Sequence, residues 1–405
     1  MLFLYRFMRL TPSYIVIFFL SLLLIACHSP TQPASAHPKG GFHEAPLKPG
    51  ASLLVYDTVS EAGRDIIQQL DKYYQTQVRA GFNGAVLVGY RGKVIYERYF
   101  GYSNREHKMP LNFASSSQLA SISKTFTGAA ILYLNEHKQL NIDHTVQQYI
   151  PGFPYPNITL RMLLNHRSGL PDYTHWVPVY HKDQNTPITN EKMVQLMINH
   201  KPHAEARPDK RFKYCNTNFA ILARIIENVS GMPYSEFMAK YIFAPLGMSN
   251  TFVYEPRKGL PANAAISYRY NWSREPDMFA DGVTGDKGIF STVQDMFRWD
   301  QSFYNRTLLS NEAIELSYGP CSFEKPGVKN YGLGWRMLCY PNGNKIIYHN
   351  GWWHGNNTSF YRLIKENMTI VVLGNKFNKN IYRQAPVIYS IVKGIEVGNG
   401  FDDEG

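Results

Sequence analysis

Hydrophobic and polar positions change period several times along the chain, and each change predicts a different element. Ile66, Ile67, Leu70, Tyr73 and Tyr74 recur at the spacing of one helix face, in a folded body that begins near Thr58. Gly84 to Val88 and Lys93 to Phe100 are β-rich runs, and Tyr90-Arg91-Gly92 between them reads as a hairpin turn. A further helix is expected from Ser121 through Ala129, Ala130, Leu132 and Tyr133 towards Glu136. Helical patterns broken by Pro and Gly then dominate from Asn141 to Arg298. Four β-rich segments follow, Gly332 to Tyr340, Lys345 to Asn350, Thr358 to Leu363 and Thr369 to Leu373, with a last helix over Ala385 to Val392. Strands thus open and close the chain. That order predicts an α/β (α+β) fold: an antiparallel sheet of five or more strands flanked by helices, with an all-helical subdomain inserted over about 140–300. A cleft between the two parts is where a site is expected.

The N-terminus does not belong to this body. Arg6 and Arg9 precede an apolar run from Tyr14 to Ala26, too short for a comfortable membrane span, and the run meets Cys27. Leu24-Ile25-Ala26-Cys27 resembles the bacterial lipobox. By that resemblance residues 1–26 are a lipoprotein-type signal peptide, and Cys27 carries a lipid that anchors the protein to a membrane of the bacterial envelope, facing the periplasm or the exterior. A plain signal peptide with an incidental cysteine is the alternative. Residues 27–57, rich in Pro, Ser, Ala and Gly, read as a flexible tether, 58–397 as the folded domain and 398–405 as a tail.

Composition narrows the function classes. In 405 residues, 44% are hydrophobic and 18% charged, the balance of a globular protein, and 28 tyrosines favour a domain with a lined pocket. The net charge of +11 is spread, with no Lys/Arg block of five, so nucleic acid is not expected as a partner. Cys321 and Cys339 are close enough in sequence to pair, leaving Cys215 free, and three unpaired thiols fit the spacing equally. No G-x-S-x-G, H-E-x-x-H or H-x-H-x-D-H pattern is present, so neither a nucleophile elbow nor a metal site is expected.

The candidate chemistry begins at Ser121-Ile122-Ser123-Lys124. A serine hydroxyl needs a base, and a lysine three residues on lies on the same helical face. Ser121 in a first helical turn also leaves its backbone N–H free for a developing oxyanion. The tetrad alone is weak: S-x-x-K recurs at Ser322 to Lys325 and at Ser390 to Lys393, and a solvent-facing helix start would look the same. Tyr214-Cys215-Asn216 adds a phenol for proton transfer and an amide to hold a carbonyl or the lysine. His349-Asn350-Gly351 adds an H-x-G at the end of a predicted strand, where a glycine lets a substrate backbone come close.

S-x-x-K, then Y-x-N, then [KH]-x-G resembles the motif order of the serine β-lactamase and DD-peptidase superfamily, in the branch of class C β-lactamases, DD-carboxypeptidases and related esterases. "LLNHRSGLPDY", "YCNTNFAILARIIENVSGMPYSEFMAKYIFAPLGMSNTFV", "GDKGIFSTVQDMFRWD" and "YGLGWR" resemble family blocks in family order, from about Gly81 to Leu373. The resemblance implies Ser121 as acylated nucleophile, Lys124 as its base and Tyr214 as proton carrier to the leaving group. It implies Asn216 as holder of the acyl carbonyl or amide, and His349, Asn350 and Gly351 as the strand edge along which substrate lies. The oxyanion hole would use the N–H groups of Ser121 and Trp352. No cofactor is implied. His349 stands where class C β-lactamases have lysine, which weakens the case for β-lactamase activity. A two-residue turn at Asn342-Gly343 would set Arg336 directly opposite His349, where it would either bind a substrate carboxylate or pair with an acid of the sheet face. Trp352, Trp353 and His354 would either wall an acyl pocket or cover the sheet. Asp172 and Tyr173 are expected to shape the cleft, and Ser123 to be structural. The expected function is a serine hydrolase or acyltransferase acting on a small-molecule or peptidoglycan-derived substrate, DD-carboxypeptidase-like or a D-amino-acid amide hydrolase. An esterase or weak β-lactamase, and a non-catalytic peptidoglycan-binding lipoprotein, are the alternatives.

Overall fold

The computed structural model describes residues 61–395. The expected signal peptide, Cys27, the whole of the tether, and the tail lie outside these residues. The apolar stripe that begins with Ile66 forms helix α1, Glu61–Arg79. Strands β1, Gly84–Tyr90, and β2, Lys93–Phe100, follow, joined by Arg91 and Gly92. Both turn residues have positive φ, 51° and 77°, which matches the strand twist in a two-residue hairpin.

The C-terminal part supplies the rest of the sheet: β3, Lys329–Tyr331; β4, Arg336–Cys339; β5, Lys345–Trp353; β6, Asn356–Leu363; and β7, Met368–Gly374. The order is β2-β1-β7-β6-β5-β4-β3 and every pairing is antiparallel. The strands from the two ends of the chain therefore meet at β1 and β7. The single strand expected from Gly332 to Tyr340 is split. At Gly332 a side chain would meet the Ser317 carbonyl oxygen at 2.2 Å, and Gly334 turns with φ of 87°, so this stretch is given over to packing beneath the helices.

One sheet face buries Val86, Val88, Tyr348, Tyr361, Ile370 and Val372 against α1 and against α8, Gln384–Lys393. The mainly helical region lies in the sequence between the two strand groups, and it is not all-helical as expected, because Phe252–Val253 and Ile289–Ser291 pair there in a small three-stranded sheet with Ser117–Gln118. Helix α2, Ser123–Glu136, is buried on all sides from Ser123 to Leu134, as an interior helix requires. The others used below are α3, Leu160–Leu164; α4, Tyr173–Tyr180; α5, Asn190–His200; α6, Asn216–Ser230; and α7, Val293–Asn305. Helix α7 packs on β1 so tightly that a side chain at Gly89 would overlap the Phe297 ring.

A buried ion pair fixes α7 to the sheet. Arg362 Nε on β6 lies 2.5 Å from Asp300 Oδ1, with side chains 1% and 0% exposed. Thr369 of β7 donates to the other carboxylate oxygen. All three cysteines among the described residues, Cys215, Cys321 and Cys339, are free, so the pairing of Cys321 with Cys339 is not formed.

Truncation of Asp300 would strand the Arg362 guanidinium in the interior. Asp300→Ala is expected to lower unfolding free energy by about 3–5 kcal/mol, read from urea denaturation.

Candidate active site

Ser121 is presented by a turn that the chain must be forced to make. Residues Ala120–Ile122 form one 3-10 turn, so the regular helix starts at Ser123, two residues later than the sequence suggests. Ala120, just before Ser121, is fully buried with φ of 50°, a conformation that costs an L-residue about 1–3 kcal/mol. Neighbours hold it there. Leu119 N–H donates to the Ile289 carbonyl at 2.8 Å, and Thr358 Oγ1 donates to the Leu119 carbonyl at 2.8 Å. Ser123 accepts a 3.2 Å hydrogen bond from Ile289 N–H and so helps pin the same turn.

Lys124 is buried, and its Nζ lies 3.0 Å from Ser121 Oγ, 2.9 Å from Asn216 Oδ1 and 2.9 Å from the Asp286 carbonyl oxygen. The last two partners can only accept. An uncharged amine has two N–H bonds and one lone pair. If such an amine gave both N–H bonds to Asn216 and Asp286, its lone pair would face the serine hydroxyl, the geometry of a base at its acid. Asn216 is placed by helix α6, whose first N–H donates to Asp172 Oδ2 at 2.8 Å, while Asp172 Oδ1 caps α4 through Thr174. Asp172 thus shapes the cleft by capping two helices. Tyr173 is equally structural, with its hydroxyl 3.2 Å from Asp286 Oδ2 and bonded by Lys287.

The Tyr214 ring lies beside this group. Its centroid is 4.9 Å from Lys124 Nζ and 5.2 Å from Arg336 Cζ. The imidazole of His166 stacks on it at 4.3 Å. His349 is fully buried, with Nδ1 2.7 Å from the Asn350 carbonyl and Nε2 3.3 Å from the Tyr331 hydroxyl. His166 accepts at Nδ1 from Cys215 N–H at 3.1 Å, and its Nε2 lies 3.2 Å from the same Tyr331 hydroxyl. Donor rules then fix a direction: His166 Nε2–H donates to Tyr331, Tyr331 donates to His349 Nε2, and His349 Nδ1–H donates to Asn350. Both imidazoles are uncharged in this chain. Burial pushes each far below the ordinary histidine value; Lys124 adds to the effect at His166, as Arg336 and then Lys124 do at His349. Burial likewise pushes the Cys215 thiol up to about 12, which leaves it a packing group.

Two expectations change at the third motif. Arg336 pairs with Tyr348, one position away from His349. The loop has three residues, Pro341-Asn342-Gly343, closed by Tyr340 N–H to the Asn344 carbonyl at 2.9 Å, with Gly343 at φ of 80°. Pro341 has no N–H with which to close a two-residue turn, so the pairing moves out by one. Arg336 still reaches the site, over the Tyr214 ring. Asn350 shares the Tyr348 face of β5, and its side chain accepts from Ser359. It therefore contributes to the strand edge through its backbone alone. Gly351 is required by space: a Cβ there would lie 2.3 Å from the Leu119 carbonyl and 3.1 Å from Ala120 Cβ. This packing sets the end of β5 against the nucleophile turn. The ladder with β4 stops at Tyr348, so from His349 to Trp353 the strand pairs with β6 alone.

A cavity of about 510 Å³ runs from Asn216 and Thr174 along this edge, with Trp352 and Trp353 on its wall. A second, of about 500 Å³, includes Arg336, Lys325, Lys329 and Tyr331. Of the other S-x-x-K tetrads, Ser322 and Lys325 line this second cavity, with Ser322 bonded to Asn330, and Ser390 lies on α8. His166, Tyr331 and Asp286 were not singled out by sequence reasoning, although they stand inside the "LLNHRSGLPDY", "YGLGWR" and "GDKGIFSTVQDMFRWD" blocks.

The family model for Beta-lactamase matches residues 64–388. This chain belongs to that family. It is 35% identical over 318 residues to penicillin-binding protein 4* of Bacillus subtilis, an alignment covering 75% of this chain and 70% of that one. D-amino acid amidase from Ochrobactrum anthropi superposes with a TM-score of 0.66 at 21% identity, over 83% of this chain and 98% of the amidase. EstCE1, described as a hydrolase with promiscuous acyltransferase activity, superposes with a TM-score of 0.69 at 21% identity, over 83% of this chain and all of EstCE1. Both structures share the fold. None of the helices among the described residues is long and apolar enough to cross a membrane.

The uncharged histidines make stability depend on pH. A histidine held below its unfolded value leaves stability complete above pH 6.5 and lost as pH falls, because the unfolded chain takes up the proton first. Between pH 7.5 and 5.5 the parent is expected to lose about 1.4 kcal/mol more than a His166→Gln variant, measured by urea denaturation at each pH.

Proposed function

We propose that the protein is a serine hydrolase or acyltransferase that forms an acyl-enzyme on Ser121, and that its substrate is a D-amino-acid amide or a DD-peptide of the cell envelope. The observation that carries this reading is the Lys124 amine, held by two obligate acceptors with its third direction on Ser121 Oγ. As Oγ attacks the scissile carbonyl, its proton passes to Lys124 Nζ and an Oγ–C bond forms. The oxyanion is met by the backbone N–H groups of Ser121 and Trp352. Tyr214 delivers a proton to the leaving amine as the C–N bond breaks. Water, deprotonated through the same groups, then cleaves the ester and returns the proton to Ser121.

Arg336 favours a substrate with a free carboxylate, because its guanidinium stands over Tyr214 and opens on the cationic cavity with Lys325 and Lys329. A D-amino acid amidase of the same fold supports the amide part of the reading instead. The lipobox-like Leu24 to Cys27 supports work at the envelope, with Cys27 as the lipid anchor. A second reading, hydrolysis of neutral esters, is favoured by His349, whose uncharged ring offers no fixed cation to a carboxylate at that position.

A panel of D-Ala-D-Ala peptides, their C-terminal amides, p-nitrophenyl esters and nitrocefin separates these readings. The free-carboxylate peptides are expected to be turned over best and nitrocefin worst. Ser121→Ala is expected to fold and to lose roughly 10³-fold or more in turnover, with no labelling by a fluorophosphonate. Full activity in that variant would end the assignment. Gly351→Ala, which presses on Leu119 and Ala120, is expected to slow acylation about 100-fold while the circular dichroism spectrum is unchanged.

A further inference from the structure

The cavity beside Asn216 is closed on its far side by a clamp that the reaction does not use. His354, with φ of 50°, sits in the two-residue loop between β5 and β6. The next residue, Gly355, backs directly onto the main chain of Tyr268. His354 Nδ1 lies 2.8 Å from Glu275 Oε2, and Nε2 lies 3.0 Å from both carboxylate oxygens of Asp281. Carboxylate oxygens only accept, so a ring with one proton serves one of them and an imidazolium serves both. Asp281 also accepts from Trp353 Nε1 at 2.6 Å and from Met278 N–H at 2.7 Å, and Glu275 accepts from Arg269 Nε at 2.9 Å. Lys287 faces the same cluster across the Trp353 ring, 4.7 Å from its centroid, and is itself 3.5 Å from Asp286.

The charges here close on each other: His354 and Arg269 against Glu275 and Asp281. What they leave for a ligand is apolar and aromatic surface from Trp352, Tyr270, Phe377 and Met278, with Trp352 60% and Tyr270 73% exposed. Trp352 is steadied by its Nε1 donating to the His354 carbonyl at 3.0 Å. The clamp therefore carries both tryptophans of the wall.

We propose that Glu275 and Asp281, gripping His354 between them, are positioning residues that set this wall, and that the cavity selects an uncharged acyl group bearing an aromatic side chain. The inference rests on Ser121 being the acylated residue only in calling the occupant an acyl group. The grip has a pH signature. Burial by itself would lower the His354 value, but Asp281 and Glu275 outweigh it and raise it above the ordinary histidine range. Burial would raise the two carboxylates, but His354 outweighs it and both are lowered. The histidine contribution is thus complete below pH 6.5 and lost as pH rises through the raised value. The carboxylate contributions are lost only on acidification.

The test is tryptophan-fluorescence titration of the full chain carrying Ser121→Ala, with N-phenylacetyl-D-alaninamide and N-acetyl-D-alaninamide as probes. The phenylacetyl probe is expected to bind roughly tenfold tighter at pH 7. That preference is expected to vanish when Asp281→Asn or, as a more exposed second variant, Glu275→Gln is added, and to fade in their parent as pH is raised from 7 to 10. Equal binding of the two probes at pH 7, or a preference that survives both substitutions and the alkaline titration, overturns the proposal. Turnover of both amides by the native Ser121 chain without preference would sink the pocket assignment and leave the hydrolase reading intact. Selective binding with no acylation of Ser121 would do the reverse.

Discussion

A single amine organises this molecule. Lys124 Nζ must meet a hydroxyl from the turn before its own helix, an amide on α6 and a carbonyl from the 285–287 stretch at once. Those groups come from distant parts of the chain, so the contact exists only when α2 is enclosed and α6 lies beside it. The all-round burial of α2 is the cost of carrying a lysine inside. The three oxygen partners are what make that burial tolerable, and the direction left to the lone pair is what makes it useful.

Around the amine, charge is kept out of the interior by tautomer choice. His166, Tyr331 and His349 pass hydrogen bonds one way and tie together the segments bearing Tyr214, the Y-G-L-G turn and the end of β5. Neutral rings are compatible with the Arg336 guanidinium nearby, and protonated rings would be repelled by it. The His354 cluster uses the opposite solution, a cation between two carboxylates at the cavity rim. One protein thus holds histidines displaced in both directions: burial first, and neighbouring cations after it, lowers His166 and His349, whereas two carboxylates outweigh burial at His354.

Much of this was legible in the sequence, and the misses have physical causes. The helix stripe from Ile66, the Arg91-Gly92 turn and the strands near the C-terminus follow from periodicity, because those residues face one sheet. The family blocks brought Ser121, Lys124, Tyr214, Asn216 and His349 together, and in the structure Lys124 lies against Ser121, Asn216 and the Tyr214 ring, with His349 beyond that ring. The register of Arg336 failed because Asn342-Gly343 was read without Pro341, whose missing N–H lengthens the loop. His166 and Tyr331 carry no periodic signal at all: their meaning lies in which ring nitrogen is protonated. The clamp at His354 joins residues more than seventy positions apart and leaves no local pattern.

The stretch from His349 to Trp353, paired on one flank only, has a consequence of its own. Main-chain donors and acceptors on an open flank can pair with extended polypeptide through its amide rhythm, indifferent to what hangs from each α-carbon. A guest lying there becomes, for the life of the complex, an additional member of the sheet. Fidelity must then be enforced at the guest's two ends, by the aromatic recess near Asn216 and the cationic hollow near Arg336.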